Sequence, residues 1–412
     1  MKVLLINHFP LQGSGSGIYT LNIAQELIKE GHDVFVIDID CEMDNNKYSF
    51  QRKTIMCAKD NNLDPDLDFE FDLDLDLRLD LDFNFPCFTT HPRSLNTFYN
   101  ISDEQVEEYV LTFIKVTKEV VAEFNPDIIH AQHLWITPYA ALTSGVPYIV
   151  TVHGTDLMGF KKDKRYHKYA LEGAKNAAKI ITISRQVHND TLELFRLPEK
   201  KLKLNPNGFD DDMFRPKSII KKELFNQFGL DIEPKKLVSF VGKFTDFKGI
   251  DILIKAARKV TNKIPEVVFA LAGDGQLMAE MKQLTEELKL NNVYFLGHQT
   301  QEDVASLYSA ADVSVVPSRI EPFGLVAIEA LGCGTPVVAT NAGGLPDFVN
   351  NDVGQLIEME DVDALANAII EELKNNTKLT KGKYAREYAV ENYSWKKTLQ
   401  NVIGLYKIAL DK

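Results

Sequence analysis

The chain has 412 residues, with 46 basic and 59 acidic side chains and a formal net charge of −13. This length predicts two or three domains, because a single hydrophobic core rarely serves more than about 250–300 residues. Hydrophobic residues at 45% and charged residues at 25% are typical of globular proteins. The acidic balance argues against nucleic acid as a partner, since a nucleic-acid-binding protein needs a basic surface.

The cysteines and the apolar segments exclude further classes. No cysteines have the CxxC spacing and no His/Cys cluster has zinc spacing, so we expect no metal site and reduced thiols in a cytoplasmic protein; the four are Cys41, Cys57, Cys87 and Cys333. The apolar run in MKVLLINHFP is too short for a secretion signal and predicts a buried strand. No run of about 18 apolar residues occurs, so we expect no membrane span.

The first half opens with a strand, a loop, a helix and a strand. An apolar run at 2–7 is followed by the Gly-rich segment 12–17. Apolar residues then recur at helical spacing as far as Gly31, and a second apolar run occupies 33–38. Such a unit predicts a parallel, doubly wound sheet. Further on, a helix is predicted at 103–124 and strands at 127–130, 147–152, 179–184 and 201–205.

Residues 64–82 alternate acidic and apolar side chains. Period two is the pattern of a strand, but a strand with one fully acidic edge repels itself at neutral pH. We interpret the segment as an exposed extended ribbon or a disordered insertion. Binding of divalent cations is the alternative, although the spacing lacks the glycine turn and the closing glutamate of a calcium loop.

After about residue 215 the alternation of strands and helices starts again. A link rich in turn-forming residues, 206–217, separates the halves. We therefore expect an α/β fold with two Rossmann-like, doubly wound parallel-sheet domains that face each other across a cleft. Ligands of such sheets bind at the carboxyl ends of the strands. The predicted strands are 237–242, 267–272, 293–296, 313–316 and 337–339, and the helices 249–262, 276–289, 301–311, 324–332 and 361–374.

The segment EPFGLVAIE, 321–329, is the strongest functional signal. Pro322 holds Glu321 extended, and Gly324 lets the backbone approach a ligand closely. The predicted helix would present the free N–H groups of 324–326, an arrangement that binds phosphate without a side chain.

Two glutamates bound this segment. Glu329 lies about one turn inside the helix and suits a ribose diol, which would donate two hydrogen bonds to it. Glu321 precedes the helix and would contact the hydroxyls of a transferred sugar. The alternatives are a surface glutamate on an ordinary amphipathic helix and an acid that interacts with the helix dipole.

Two lysines follow the strand 237–242. Lys243 and Lys248 occupy a glycine-flanked loop, GKFTDFKG, and suit a pyrophosphate. Fixed cations at this place would lower the barrier to departure of a phosphate leaving group. A solvated lysine pair is the alternative.

The first half carries weaker signals. The glycine-rich loop 13–17 opens a helix beside the first strand, although such loops are often simple turns. His153 ends a strand and would bond a sugar hydroxyl or move a proton, or serve as a structural histidine. Asp156 would cap the next helix. The basic run 161–168 would meet an anionic acceptor or lipid surface, or form a solvated helix face.

Together these residues resemble the family 4 glycosyltransferases, which have the GT-B fold and retain anomeric configuration. The resemblance covers nearly the whole chain. Its most specific part is 312–347, with a Glu-x7-Glu pair. Further matches are Pro206-Asn207-Gly208, the AGDG that ends at Gly275, Lys248-Gly249 and the DxxH that ends at His130.

The resemblance implies a role for each matching residue. Lys248, Glu321 and His153 would act in catalysis. Lys243 replaces the usual arginine and loses its bidentate fork. The segment 86–99 resembles an acceptor-side loop. The implied donor-binding residues are Gly15, Lys243, Lys248, Glu321, Phe323, Gly324, Leu325, Val326 and Glu329, and the acceptor side receives Thr155, Asp156 and Asn207.

The resemblance also implies the domains and the reaction. Residues 1–207 would form the acceptor-side domain, 208–392 the nucleotide-sugar domain, and 393–412 a helix returning to the first. A hexose or N-acetylhexosamine would pass from a nucleotide diphosphate sugar to a hydroxyl of a small molecule, glycan or lipid-linked acceptor. The resemblance to the family favours UDP as the nucleotide. The departing β-phosphate would help deprotonate this hydroxyl on the same face, with no metal or other cofactor.

Two other activities remain open. One is a GDP-mannose-dependent mannosyltransferase, and the other is a catalytically inactive protein that binds sugar nucleotides. The Glu-x7-Glu segment argues against a nucleotide-sugar epimerase. The sequence leaves the oligomeric state undetermined, and it places the protein in the cytoplasm with peripheral membrane contact through 161–168 as an option.

Overall fold

The computed structural model describes residues 1–42, 48–59 and 79–411. The chain divides into two compact units. The N-terminal unit comprises Met1–Asn205 and Leu399–Lys412, and the C-terminal unit comprises Pro206–Thr398. The sequence places the domain changes at 207/208 and 392/393, which is two residues later and six residues earlier than these units.

A seven-stranded parallel sheet forms the N-terminal unit. Its strands and the two short strands that pair separately are β1 (Lys2–Ile6), β2 (Asp33–Asp40), β3 (Gln51–Met56), β4 (Pro86–Cys87), β5 (Asn96–Thr97), β6 (Ile128–Gln132), β7 (Tyr148–Val152), β8 (Lys179–Thr182) and β9 (Leu202–Leu204). The order is β3-β2-β1-β6-β7-β8-β9, and β4 pairs with β5. The predicted parallel sheet is confirmed.

The helices of this unit connect the strands. They are α1 (Gly15–Lys29), α2 (Asp103–Phe124), α3 (Thr137–Ser144), α4 (Thr155–Lys162), α5 (His167–Asn176) and α6 (Arg185–Phe195). The predicted bounds of α2 are confirmed, because Ser102 and Gln105 form a capping box and Asn125 ends the helix at φ 50°. Our sequence analysis gave no bounds for β3, β4, β5 and α3–α6, although it expected a helix to begin near Asp156, where α4 begins. Strand β3 has a mixed, partly exposed pattern without an apolar run.

The acidic segment 64–82 lies outside the described residues except for 79–82. In that last part, the Asp80 carboxylate accepts a hydrogen bond of 2.9 Å from the Met56 N–H, and Leu81 pairs with Cys57 in an isolated bridge. The two interpretations of the segment stay predictions.

The C-terminal unit is a second parallel α/β layer structure. Its strands are β10 (Lys236–Val241), β11 (Val267–Ala272), β12 (Val293–Gly297), β13 (Val313–Val316), β14 (Val337–Thr340) and β15 (Gly354–Ile357), and its helices are α7 (Lys221–Gln227), α8 (Ile250–Lys263), α9 (Met278–Glu287), α10 (Gln301–Ala310), α11 (Leu325–Gly332), α12 (Val362–Lys374) and α13 (Thr377–Tyr393). The strand order is β12-β11-β10-β13-β14-β15. Sequential strands thus diverge on either side of the β10/β13 boundary, where ligands of doubly wound sheets bind.

The last helix, α14 (Trp395–Leu410), contributes its larger part to the N-terminal unit. The Tyr406 hydroxyl lies 2.8 Å from His130 Nδ1, and Asn401 donates to the Asn205 side chain at 2.9 Å. His130 is fully buried on β6, and its Nε2 lies 2.7 Å from the Thr151 hydroxyl. Both ring nitrogens therefore have partners, one of which belongs to the C-terminal helix.

In the part of the chain that the structure describes, no helix combines the length and the apolar character that crossing a membrane requires.

We expect Tyr406→Phe to destabilise the protein by about 1–3 kcal/mol, because it leaves one nitrogen of a buried imidazole without a partner. Urea unfolding followed by circular dichroism measures the loss. Ile408→Ala is the matched control, since Ile408 is 47% exposed on the same helix and its truncation should cost at most about 0.5 kcal/mol. Equal stability of Tyr406→Phe and the wild type would contradict this prediction.

Candidate functional site

An ion pair joins two of the predicted site residues in the C-terminal unit. Lys248 follows β10 and Glu321 follows β13, and these two strands are neighbours in the sheet. The ammonium of Lys248 lies 2.6 Å from Glu321 Oε2, and the Ser318 hydroxyl donates to the same oxygen at 3.3 Å. The Glu321 side chain is only 9% exposed. The fold thus brings a cation and a carboxylate together at the carboxyl edge of the sheet.

Glycine is required beside this lysine. Gly249 has a φ of +61°, and a Cβ there would lie 2.0 Å from the Pro317 carbonyl oxygen. The 3-10 turn Asp246–Lys248 therefore packs against the end of β13 only with glycine at this position. This explains the Lys-Gly pair that the sequence displays.

Two adjacent glycines in the loop after β14, Gly343 and Gly344, pack against the backbone of Glu321. The Gly344 N–H donates to the Glu321 carbonyl at 2.9 Å. Gly343 has a φ of +56°, and a Cβ there would lie 1.8 Å from the same carbonyl oxygen. Our sequence analysis assigned no role to Gly343-Gly344, although adjacent glycines directly after a strand are a signal of close backbone packing.

The N-terminus of α11 lies next to Glu321 in the chain. Gly324 occupies the N-cap position with a φ of +107°, and no side chain caps the helix. None of the described residues accepts a hydrogen bond from the N–H groups of Gly324, Leu325 or Val326. Phe323 is buried, and its ring packs against that of Phe348 at 5.5 Å between centroids, with the two planes tilted by 50°. The helix therefore begins with free N–H donors, and the buried Phe323 anchors the backbone that directly precedes them.

Glu329 lies on the same helix and is half-buried. Burial and the nearby Asp210 raise the pKa of its carboxyl to about 8. In the part of the chain that the structure describes, no residue donates a hydrogen bond to this carboxyl. It is thus available to the hydroxyls of a ligand.

Lys243 is exposed on the loop that also carries Lys248. The AGDG segment holds this loop, because the Phe244 N–H donates to the Asp274 carbonyl at 2.8 Å. Gly273 has a φ of +134°, and a Cβ there would lie 1.9 Å from the Gly242 carbonyl oxygen. The AGDG motif thus has a steric role, because its glycine at 273 lets the backbone pack closely against the loop that carries the two lysines.

The Gly-rich loop of the N-terminal unit caps α1. The Ser14 hydroxyl accepts a hydrogen bond of 3.0 Å from the Gly17 N–H. Packing requires glycine at two positions of this loop. A Cβ at Gly17 would lie 2.1 Å from the Pro10 carbonyl oxygen, and a Cβ at Gly13 would lie 2.9 Å from the His91 ring. Gly15 is exposed, and among the described residues outside the local backbone of α1 no heavy atom lies within 4 Å of where its Cβ would be. Packing within the unit therefore does not require glycine at position 15.

His153 lies at the carboxyl end of β7 among other buried polar groups. Its Nε2 is 2.9 Å from Gln132 Oε1 at the end of β6. The ring of His133 lies 4.7 Å, centroid to centroid, from both His153 and His8. Burial lowers the pKa of each of these three imidazoles, to about 3 for His133, so they are neutral at neutral pH.

Our sequence analysis singled out His153 but missed the groups around it. Several of these buried groups carry polar atoms without a hydrogen-bond partner among the residues that the structure describes; they are Asn7, His8, Gln132, His133 and Trp135. His133 also has a φ of +69°, which is unusual for a non-glycine residue. The available signal was that polar residues directly follow β1 and β6.

The residues assigned to the acceptor side differ in their surroundings. Asp156 is fully buried, and its carboxylate accepts hydrogen bonds of 2.8 Å from the Leu134 and Gly154 N–H groups. Thr155 is half-buried at the start of α4. Asn207 is buried in the C-terminal unit. The Asp156 carboxylate thus already accepts hydrogen bonds from the backbone. The acceptor-side roles of all three residues stay predictions.

Arginines in the two other predicted segments of the N-terminal unit form ion pairs. In the segment 86–99, Arg93 pairs with the buried Asp40 at 2.7 Å. In the basic run 161–168, Arg165 pairs with Asp163 at 2.7 Å. Four lysines of this run are exposed, namely Lys161, Lys162, Lys164 and Lys168. Among the described residues, no group of three His, Cys, Asp or Glu side chains is arranged to hold a metal ion.

Comparison with known proteins gives the family. Residues 13–213 match the model described as Glycosyltransferase Family 4, and residues 221–391 match Glycosyl transferases group 1. An uncharacterized glycosyltransferase of Methanocaldococcus jannaschii is 30% identical over 311 residues, which cover 73% of this chain and 80% of the relative. The chain belongs to glycosyltransferase family 4. The N-acetyl-alpha-D-glucosaminyl L-malate synthase of Bacillus anthracis is 27% identical to this glycosyltransferase over 78% of this chain and 84% of the relative.

Solved structures of similar fold cover nearly the whole glycosyltransferase. The sucrose-phosphate synthase of Thermosynechococcus elongatus superposes with a TM-score of 0.73 at 24% identity, over 98% of both chains. An Anabaena protein in complex with UDP and glucose gives a TM-score of 0.72 at 21% identity, also over 98% of both chains. The predicted GT-B fold is confirmed.

We expect the stability of this glycosyltransferase to fall as the pH falls below about 6.5. Unfolded imidazoles take up protons near that pH, whereas the folded His8, His130, His133 and His153 have lowered pKa values. Burial raises the pKa of Asp156 and acts in the opposite sense at lower pH. Urea unfolding at a series of pH values measures the slope.

His133→Asn tests the assignment, since asparagine tolerates a positive φ. Losing one such histidine should lower the slope of stability against pH by up to about 1.4 kcal/mol per pH unit. His298→Asn, at an exposed position, is the control. Parallel pH profiles for His133→Asn and the wild type would contradict the prediction.

Proposed function

We propose that this glycosyltransferase moves a hexose or N-acetylhexosamine from a UDP-linked donor to an acceptor hydroxyl, with retention of configuration. The observation that carries the proposal is the placement of Lys248, Glu321 and the uncapped N-terminus of α11 at the carboxyl edge of one sheet. A ligand that binds at this edge would find a cation, free N–H donors and a hydrogen-bonding carboxylate close together.

The donor diphosphate competes for Lys248 in this proposal. Lys248 and Glu321 form an ion pair of 2.6 Å. A diphosphate that takes the ammonium and the N–H groups of α11 releases Glu321 to accept hydrogen bonds from the sugar hydroxyls. Lys243 adds a second positive charge on the same loop. As the β-phosphate departs, its new charge meets groups that are already oriented.

Glu329 holds the ribose in this proposal. Its carboxyl has no donor among the described residues and has a pKa raised to about 8. Two ribose hydroxyls that donate to the carboxylate stabilise its charged form, so donor binding lowers this pKa. The binding of a nucleotide is therefore linked to the loss of a proton from Glu329.

Transfer follows a front-face course in this proposal. The bond between the anomeric carbon and the β-phosphate oxygen breaks, and the acceptor oxygen bonds to the same carbon from the same face. The proton of the acceptor hydroxyl passes to the departing phosphate. Lysines and a helix N-terminus neutralise the diphosphate, so neither a metal nor another cofactor is needed.

The choice of donor rests on relatives. The Anabaena structure contains UDP and glucose, and the Bacillus relative is named N-acetyl-alpha-D-glucosaminyl L-malate synthase. A GDP-mannose-dependent mannosyltransferase is the second candidate, and an inactive protein that binds sugar nucleotides is the third.

The N-terminal unit supplies the acceptor side. Gly15 lets the phosphate approach, and His153 contacts the transferred sugar. The exposed lysines of 161–168 favour an anionic acceptor or an anionic membrane surface on the cytoplasmic side. Thr155 of this unit is a further acceptor-side candidate, and so is Asn207, which belongs to the C-terminal unit.

Release of nucleotide in the presence of UDP-glucose, UDP-N-acetylglucosamine or GDP-mannose tests the activity. We expect release that requires an acceptor from a panel of polyols, hydroxy acids, glycans and lipid-linked sugars, and that persists in EDTA. Turnover with GDP-mannose alone would favour the mannosyltransferase. Donor binding without turnover across the panel would favour the inactive protein, and complete loss in EDTA would refute metal independence.

We expect Glu329→Ala to weaken UDP binding by about 2–3 kcal/mol, since it removes charged hydrogen bonds. In the wild type the affinity should rise as the pH rises through about 8, because the carboxylate is the binding form. Calorimetry from pH 6 to 9 measures both effects.

Glu329→Gln should bind UDP weakly with a flat pH profile, whereas Glu371→Gln, at an exposed position on α12, should match the wild type. Unchanged UDP affinity in Glu329→Ala would remove Glu329 from the site.

A further inference from the structure

Arg319 lies between the two loops that carry Lys248 and Glu321. Its backbone N–H donates to the Phe247 carbonyl at 2.8 Å, and the Ile320 N–H donates to the same oxygen at 3.2 Å. Phe247 directly precedes Lys248, and Arg319 is two residues before Glu321. The backbone around Arg319 therefore joins the loop after β10 to the loop after β13.

The guanidinium of Arg319 strengthens this junction. It donates to the Asp246 carbonyl at 2.8 Å and to the Asp246 carboxylate at 3.2 Å. It also forms a bidentate pair with Asp251, at 2.9 and 3.1 Å, and a second bidentate pair with Glu360. Asp246 starts the 3-10 turn that ends at Lys248, and Asp251 lies in the first turn of α8. One side chain thus clamps both ends of the turn that presents the lysine.

The charge of Arg319 is already matched. Its hydrogen bonds with Asp251 and Glu360 raise its own pKa. For Asp251, burial favours a higher pKa, but the hydrogen bonds from Arg319 and Lys255 outweigh it and the pKa lies below its usual value. Three carboxylates thus surround one guanidinium. This arrangement makes Arg319 a poor ligand for a diphosphate. Among the described residues, the guanidinium forms its hydrogen bonds with Asp246, Asp251 and Glu360, and it does not contact Lys248 or Glu321 directly.

We propose that Arg319 is a positioning residue, which acts on sugar transfer through the placement of Lys248 relative to Glu321. Without the clamp, the turn 246–248 loses its hold on the loop 317–321, and the lysine no longer meets the diphosphate in one orientation. A displacement of about 1 Å can lower a catalytic rate about 100-fold. The activity readout rests on the proposed function, but the placement of the turn does not.

A double-mutant cycle separates positioning from a general structural role. Arg319→Ala should lower kcat by about 10- to 100-fold with a smaller rise in KM, because the lysine acts most strongly on the charge that develops during departure. In a Lys248→Ala background the same substitution should change kcat less than about threefold, since the residue through which it acts is gone.

Lys259→Ala is the matched control. Lys259 forms an exposed ion pair with Asp363 between α8 and α12 of the same unit. Its loss should leave kcat unchanged in both backgrounds. Arg319→Lys keeps the charge but not the two bidentate pairs, so its loss of activity should be intermediate. If Arg319→Ala does not fold, Arg319→Lys takes its place in the cycle.

Amide hydrogen exchange gives a readout that does not depend on the donor. Peptides that span 244–252 and 316–323 should exchange faster in Arg319→Ala than in the wild type or Lys259→Ala. Unchanged exchange in these peptides, or an equal loss of kcat with and without Lys248, would overturn the proposal. A wild type that transfers no sugar while Arg319→Ala still speeds exchange would instead refute the proposed function.

Discussion

The ion pair between Lys248 and Glu321 is the interaction around which the C-terminal unit is organised. Its two members are 73 residues apart in the chain. They meet because β10 and β13 are neighbouring strands that both end at the same edge of the sheet. The carboxylate is almost completely buried, so a nearby cation is needed to offset the loss of hydration. A ligand that takes this cation must supply compensating contacts to Glu321, which a sugar with several hydroxyls can do.

Backbone packing around this pair leaves little freedom. Gly249, Gly273 and Gly343 all have positive φ, and each lies so near a carbonyl oxygen that a Cβ would clash with it. The glycines therefore bring four loops together, those after β10, β11, β13 and β14. The Arg319 clamp joins the loops after β10 and β13 with hydrogen bonds. Polar chemistry at this edge depends on steric fit as much as on the charged side chains themselves.

The N-terminal unit solves a different electrostatic problem. Its strand ends carry imidazoles rather than exposed ions, and burial keeps these rings neutral by lowering their pKa values. Asp156, a buried carboxylate close to these rings, accepts hydrogen bonds from two backbone N–H groups. Neutral rings can donate and accept hydrogen bonds without attracting a counter-ion. The two units thus offer contrasting surroundings, charged at the edge near Lys248 and neutral around His133.

The sequence by itself determined the class of fold, most strands and helices, and the family, because period, capping residues and glycine spacing are local properties. It also identified Lys248, Glu321 and Glu329 as candidates. Only the tertiary structure decided that Lys248 and Glu321 form an ion pair, that Arg319 clamps their loops, and that His8, Gln132 and His133 surround His153. These relations depend on strand order and on burial. A residue pattern along the chain carries neither, since both arise when distant segments pack together.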